Sequence, residues 1–170
     1  MTKDLIRLPC GKSMIPTQEE MIDKILTDVL EKGPARLVLL IDTTGQIISF
    51  KGDRGKIDLV ALGALAAGDM AASQEIARLS NQYQENQMII RQGSKVNTII
   101  QEVGRDLVLL IMVSSTVPLG WFCYLVRHAV KQINEVVSTT QEKDEVVELE
   151  TGGKNLADQF NDALNKIWKE

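Results

Sequence analysis

Residues 57–79 carry the feature that most restricts this fold, because the helix that they predict is apolar on two opposite faces. At about 3.6 residues per turn, one face collects Leu59, Leu62, Gly63, Ala66, Met70, Ser73 and Ala77. The opposite face collects mostly small residues: Ile57, Val60, Ala61, Ala64, Ala67, Gly68 and Ala71. A helix that covers a sheet needs one apolar stripe, so the second favours burial between its own sheet and a partner protein. An Ala-rich helix of high intrinsic propensity is the alternative.

The remaining elements surround this helix in a regular order. A capping box formed by Thr17 and Glu20 begins a first helix, which Gly33 and Pro34 end. Apolar runs between turn residues predict five strands, over residues 36–42, 47–51, 88–92, 96–103 and 107–113. Pro118 begins a last helix, which extends to residue 137. The order predicts an α/β (α+β) fold of three layers, with a five-stranded antiparallel sheet sandwiched by helices and the second helix on a face of its own.

The segment from residue 107 to 126 has the length of a membrane span and no formal charge. Its middle, residues 114–120, reads SSTVPLG, which is a polar turn followed by a helix start. We therefore expect a buried strand and an amphipathic helix there, with no insertion into a membrane.

The two ends of the chain differ in character from its middle. We predict an N-terminal arm (1–16), a folded domain (17–137), an acidic flexible linker (138–153) and a C-terminal amphipathic helix (154–170). Residues 138–170 carry a net charge of −4, so the rest of the chain is neutral. An apolar stripe in the last helix is expected to dock on its own domain or on a partner, and consists of Leu156, Phe160, Leu164 and Ile167.

Residues able to carry catalysis or bind a cofactor are scarce. The sequence Gly11-Lys12-Ser13 resembles the end of a phosphate-binding loop, but Ile6 stands where that motif requires a glycine. His128 and Cys123 lie on one helix about 140° apart, too far around it for a nucleophile and its base. We expect no catalytic site, no metal site and no cofactor in this chain.

Charge and cysteine content limit the partners and the compartment. A sequence pI near 5.1 is unlike the basic excess of proteins that bind nucleic acid. The two cysteines, Cys10 and Cys123, are not clustered, and the first residues lack the apolar stretch of a signal peptide. These observations predict reduced thiols, a cytoplasmic location and no nucleic-acid partner.

The middle of the chain resembles the roadblock family, which includes dynein light chains of the roadblock type and bacterial MglB-like regulators of Ras-like GTPases. The resemblance covers about residues 25–137. It rests on the hairpin LVLLIDTTGQIISFKGD, the small-residue helix ALGALAAGDMAAS, the strand after the RQGS turn and the strand DLVLLIMVSS before the last helix.

This resemblance implies a homodimer in which the second helices of two subunits pack together and edge strands join the two sheets into one. It assigns an interface with a second copy or with a GTPase to Val60, Ala64, Ala67, Gly68, Ala71, Met88 and Ile90. It also places Asp53 and Arg54 in a loop that could approach a GTPase. The additional arm, linker and terminal helix are departures from the shortest members of the family.

Three functions are compatible with these observations. The first is a homodimer that activates hydrolysis by a Ras-like small GTPase, through binding and ordering its switch regions. The second is a non-catalytic scaffold or light-chain subunit of a multiprotein or motor assembly. The third is a small-ligand sensor, for which the sequence nominates no pocket.

Overall fold

The computed structural model describes residues 6–7 and 13–138. The predicted linker beyond residue 138 and the terminal stripe of Leu156, Phe160, Leu164 and Ile167 lie outside the described residues. Within the predicted arm, β1 (Ile6–Arg7) pairs with β2 (Ser13–Met14) in an antiparallel two-stranded sheet.

The first helix, α1 (Pro16–Lys32), begins through a contact that differs from the predicted capping box. Gln18, and not Glu20, supplies the side chain that folds back, since its Oε1 accepts a hydrogen bond from the Ile15 backbone N–H at 3.1 Å. Pro16 occupies the first helical position, where its fixed φ favours helix and its missing N–H has no cost. The prediction that Thr17 caps this helix was therefore wrong by two residues.

Five strands form the main sheet, as predicted. They are β3 (Ala35–Asp42), β4 (Ile47–Gly52), β5 (Met88–Arg91), β6 (Val96–Val103) and β7 (Leu107–Ser114). Their spatial order is β4-β3-β7-β6-β5, and every neighbouring pair is antiparallel. The continuous apolar runs of β3 and β7 place them in the centre, where side chains on both faces are buried. The strands β4 and β5 are the two edges.

Helices cover both faces of this sheet. The helix α2 (Leu59–Leu79) packs on one face, where Ala66 and Met70 join Leu39 and Leu110 in a buried cluster. The last helix, α3, spans residues 119–138 and buries Phe122 completely. It runs antiparallel to α1, because Gln18 donates a hydrogen bond to the Val136 carbonyl at 2.7 Å while Gly33, at the other end of α1, lies against Phe122.

Among the described residues, no helix is long and apolar enough to span a membrane. The segment 107–126 divides into β7 and the start of α3, with the turn between them that its sequence predicts.

Candidate interaction surface

Close backbone contact fixes the position of α2 on the sheet. Asp58 caps the helix, and its Oδ1 accepts hydrogen bonds from the N–H groups of Val60 at 3.0 Å and Ala61 at 3.2 Å. One turn later, a Cβ on Gly63 would lie only 2.7 Å from the carbonyl oxygen of Gly45, in the turn between β3 and β4. Glycine at position 63 is therefore what allows the helix to approach the sheet so closely.

The opposite side of α2 is an exposed apolar surface, which we call the outer face. Its small residues Ala61, Ala64, Gly68 and Ala71 are exposed, and nothing lies within 4 Å of the point where a Cβ on Gly68 would stand. Its large apolar residues are strongly exposed: Val60 at 70%, Leu65 at 74%, Ile76 at 67% and Leu79 at 82%. Contiguous apolar surface of this kind marks an interaction site in a folded protein.

Ala67 does not belong to this surface. It is only 6% exposed and joins the buried cluster between α2 and the sheet. Ala67 and Val60 are separated by about 20° around the helix, so a narrow boundary divides the core from the outer face. The prediction that Ala67 is an interface residue is corrected accordingly.

The strand β5 lies beside α2 with one edge free in the described sheet. Ile89 packs against the cluster beneath α2. Because side chains alternate along a strand, Met88 and Ile90 point to the other face of the sheet. Ile90 is 41% exposed there. The structure therefore separates the side chains of Met88 and Ile90 from the outer face.

Two polar connections tie β5 to α2. Arg91, at the end of β5, forms a two-pronged ion pair with Asp69 of α2, with Nε–Oδ2 and Nη2–Oδ1 distances of 3.1 and 2.8 Å. Near the start of β5, the buried carboxylate of Glu102 accepts hydrogen bonds from Gln74 of α2 and from the backbone N–H of Gln87. A glutamate inside the apolar strand TIIQEV was the sequence signal for this second connection.

The loop that precedes α2 is held by its own hydrogen bonds. Asp53 Oδ1 accepts from the Gly55 N–H at 2.8 Å, and the carbonyl of Arg54 accepts from the Ile57 N–H at 2.9 Å. The Arg54 side chain is exposed and lines an open depression with Phe50 and Val60. This loop is therefore contiguous with the outer face at the N-terminal end of α2.

The structure also locates the residues whose side chains could act as nucleophile, base or metal ligand. His128 is exposed on α3, and Cys123 is half-buried. Within the described ranges there is no group of three or more His, Cys, Asp or Glu side chains that could hold a metal ion. The candidate site in the described part of the chain is therefore the apolar outer face of α2.

Searches against known proteins found similarity in structure. No family model and no curated protein sequence matches this chain. MglB from Myxococcus xanthus superposes with a TM-score of 0.69 at 24% identity, covering 74% of this chain and 94% of that one. The gliding protein MglB from Thermus thermophilus gives a TM-score of 0.68 at 23% identity, covering 82% and 99% of the two chains.

A more distant match is the Roadblock/LC7 domain from Streptomyces avermitilis, with a TM-score of 0.60 at 14% identity over 66% of this chain and 94% of that one. Together these likenesses show that the chain has the fold of MglB and of the Roadblock/LC7 domain. The fold expected from the hairpin and helix motifs is confirmed.

Proposed function

We propose that this chain forms a homodimer through the outer face of α2 and that the dimer regulates a Ras-like small GTPase. The observation that carries the proposal is the exposed apolar outer face in a fold similar to that of MglB. One of the similar structures is of MglB in a tetrameric arrangement, which supports self-association in proteins with this fold. The proposed compartment is the cytoplasm, where small GTPases act.

The energetics of the outer face support association. Val60, Leu65, Ile76 and Leu79 are each at least 67% exposed, and burying a side chain of this size contributes roughly 1.5–3 kcal/mol. Two copies would bury twice this set, which gives a total of roughly 12–24 kcal/mol. Association costs roughly 4–15 kcal/mol in lost freedom. Because the gain and the cost are of the same order, these four side chains alone do not ensure a stable dimer. The close helix contact that the small residues of the outer face allow is needed as well.

The same geometry supports a regulator that orders the GTPase's own catalytic groups. The outer face is apolar and the adjacent loop offers one exposed arginine, Arg54. We propose that the GTPase contacts the loop containing Asp53 and Arg54, which lies beside the dimer interface at the N-terminal end of α2. Binding there would hold its switch regions in the conformation competent for hydrolysis. A regulator that works by shifting a conformational population must bind the GTP-like state more tightly than the GDP state.

The test combines binding with turnover. A candidate Ras-like GTPase from the same organism is loaded with GDP or with a GTP analogue, and its affinity for this protein is measured in both states. Single-turnover GTP hydrolysis is then measured with and without the protein. Preferential binding of the GTP-like state with faster hydrolysis supports the proposal. Equal affinity for both states and an unchanged rate would favour a scaffold that organises an assembly without affecting turnover.

A further inference from the structure

The strand β5 has only four residues and forms one edge of the sheet, yet it is fixed at both ends to neighbouring elements. A short edge strand bonded on one side only is a weak element, since it shares its hydrogen-bond ladder with a single neighbour. Side-chain anchors at its two ends therefore matter more here than they would in a central strand.

At the N-terminal end the anchor is Glu102. This residue is 4% exposed. Its Oε2 accepts from the Gln87 N–H at 3.0 Å, and its own N–H donates to the Gln87 carbonyl at 2.9 Å. Its Oε1 accepts from Gln74 Nε2 of α2 at 2.6 Å and from the Tyr83 hydroxyl at 3.5 Å. One buried carboxylate thus joins α2, the loop after it and the start of β5.

At the C-terminal end the anchor is the pair of Asp69 and Arg91. The guanidinium meets the carboxylate through two nitrogens and two oxygens, a geometry that fixes orientation as well as distance. Asp69 is only 23% exposed, whereas Arg91 is 64% exposed. The two anchors bond to the same helix, and so they hold β5 and the outer face of α2 in one fixed relation.

We propose that Glu102 and the Asp69–Arg91 pair are positioning groups that preform β5 as the edge on which a second copy of this chain adds its own β5. The inference rests on the proposed homodimer and on the expected pairing of edge strands between its subunits, and it deepens both by naming the groups that prepare the edge. If only a fraction of molecules has a docked β5, the apparent affinity falls by that fraction. In a symmetric pair the fraction enters twice, so a decrease to about one tenth would weaken the dimer about a hundredfold.

Two single substitutions test the two ends. Asp69→Asn removes the charge that orients Arg91. Glu102→Gln replaces one acceptor oxygen by an amide NH2, which only donates, so the hydrogen bond from either Gln74 or the Gln87 N–H is lost. Asp28→Asn is the matched control, because Asp28 forms an exposed pair with Lys32 on α1.

The full-length variants are compared by sedimentation equilibrium, by amide hydrogen exchange of residues 88–91, and by thermal unfolding at concentrations where the protein is monomeric. We expect Asp69→Asn to raise the dimer dissociation constant at least about tenfold and to speed exchange in β5, while monomer unfolding moves by a few degrees at most. The control should change none of these. Glu102→Gln should have the larger effect on amide hydrogen exchange in β5. The double variant with reversed charges, Asp69→Arg with Arg91→Asp, should recover part of the dimer affinity.

The outcomes separate this inference from the proposal beneath it. A wild-type protein that remains monomeric would overturn the homodimer and the inference together. A wild-type dimer whose dissociation constant is unchanged in Asp69→Asn and Glu102→Gln, despite faster exchange in β5, would overturn only the positioning role.

Discussion

The two glycines of α2 offer a sharp test, because one faces the sheet and the other faces solvent. Gly68 stands in the middle of the outer face, and a Cβ added to it would have no atom within 4 Å. Gly68→Arg is therefore expected to leave the monomer folded. Glycine is roughly 1 kcal/mol less favourable than good helix formers such as arginine inside a helix. The monomer should thus melt about 2–4 °C higher, at concentrations too low for association.

The same substitution should abolish self-association. An arginine at the centre of a close helix contact either holds the helices apart or is buried without a partner, at a cost of about 3–5 kcal/mol. This cost corresponds to a weakening of the dimer by at least about a hundredfold. Sedimentation velocity across a concentration series measures the change, and circular dichroism confirms the helix content. Gly68→Ala, which adds a single methyl group, should have an intermediate effect on association.

Gly63→Ala is the matched control on the sheet side of the same helix. Its added methyl group would lie 2.7 Å from the Gly45 carbonyl oxygen and 3.3 Å from Ile41 Cγ2. Crowding of this kind costs about 1–3 kcal/mol, so the melting temperature should fall while the outer face is untouched. A Gly68→Arg protein that remains dimeric, or one that unfolds while Gly63→Ala does not, would refute the assignment of the two faces.

Three further predictions concern other parts of the chain. Asp23 is partly buried, which by itself raises its pKa, but hydrogen bonds from Lys51 and Ser49 outweigh burial and lower that pKa below its usual value. Its stabilising contribution is therefore complete at neutral pH and disappears as the pH falls through the lowered pKa. The difference in unfolding free energy between wild type and Asp23→Asn, measured by urea unfolding, should shrink below about pH 4. Arg54→Ala should reduce GTPase stimulation only a few-fold in single-turnover assays, since the proposed mechanism orders the GTPase's own groups; a loss of about a thousandfold, as for an arginine finger, would contradict it. Deletion of residues 138–170 should preserve cooperative unfolding but weaken GTPase binding in pull-down and calorimetric titration, because a tethered docking segment supplies effective concentration; non-cooperative unfolding would show instead that this segment completes the core.

The order of elements was predictable because each strand and helix has its own hydrophobic period. The apolar run LVLLI predicted a strand, and β3 is that strand, inside the sheet between β4 and β7. The start of α1 was not predictable in the same way. Gln18 and Glu20 both stand near the helix start, and the spacing of a capping box alone does not decide which of these side chains folds back. Pro16 decides it, because it sets the first helical position and makes Gln18 the third.

The polar connections of β5 depend on contacts between residues distant in the chain. The antiparallel strands predicted over residues 88–92 and 96–103 bring residue 87 close to Glu102, since Met88 pairs with Gln101. Nothing in the local pattern indicates that Gln74 of α2 also reaches this carboxylate. A glutamate inside an apolar strand predicts only that some partner exists, since a buried carboxylate without hydrogen bonds would be costly. Identifying Gln74 as that partner required the position of α2 on the sheet.

The outer face of α2 shows how far a helical projection can be taken. Dividing the helix into two opposite halves placed Ala64, Gly68 and Ala71 on the side away from the sheet, and all three are exposed in the structure. The same division placed Ala67 with them, although it is buried, because a small side chain at the boundary is covered by its larger neighbours in the core. It also missed Leu65 and Ile76, which lie on the flank of the outer face towards Asp69 and β5. These two side chains extend the apolar surface from the small-residue stripe towards the edge of the sheet. We therefore expect a partner that packs on α2 to meet the β5 edge as well, which is the physical reason for testing the helix and the strand as one surface.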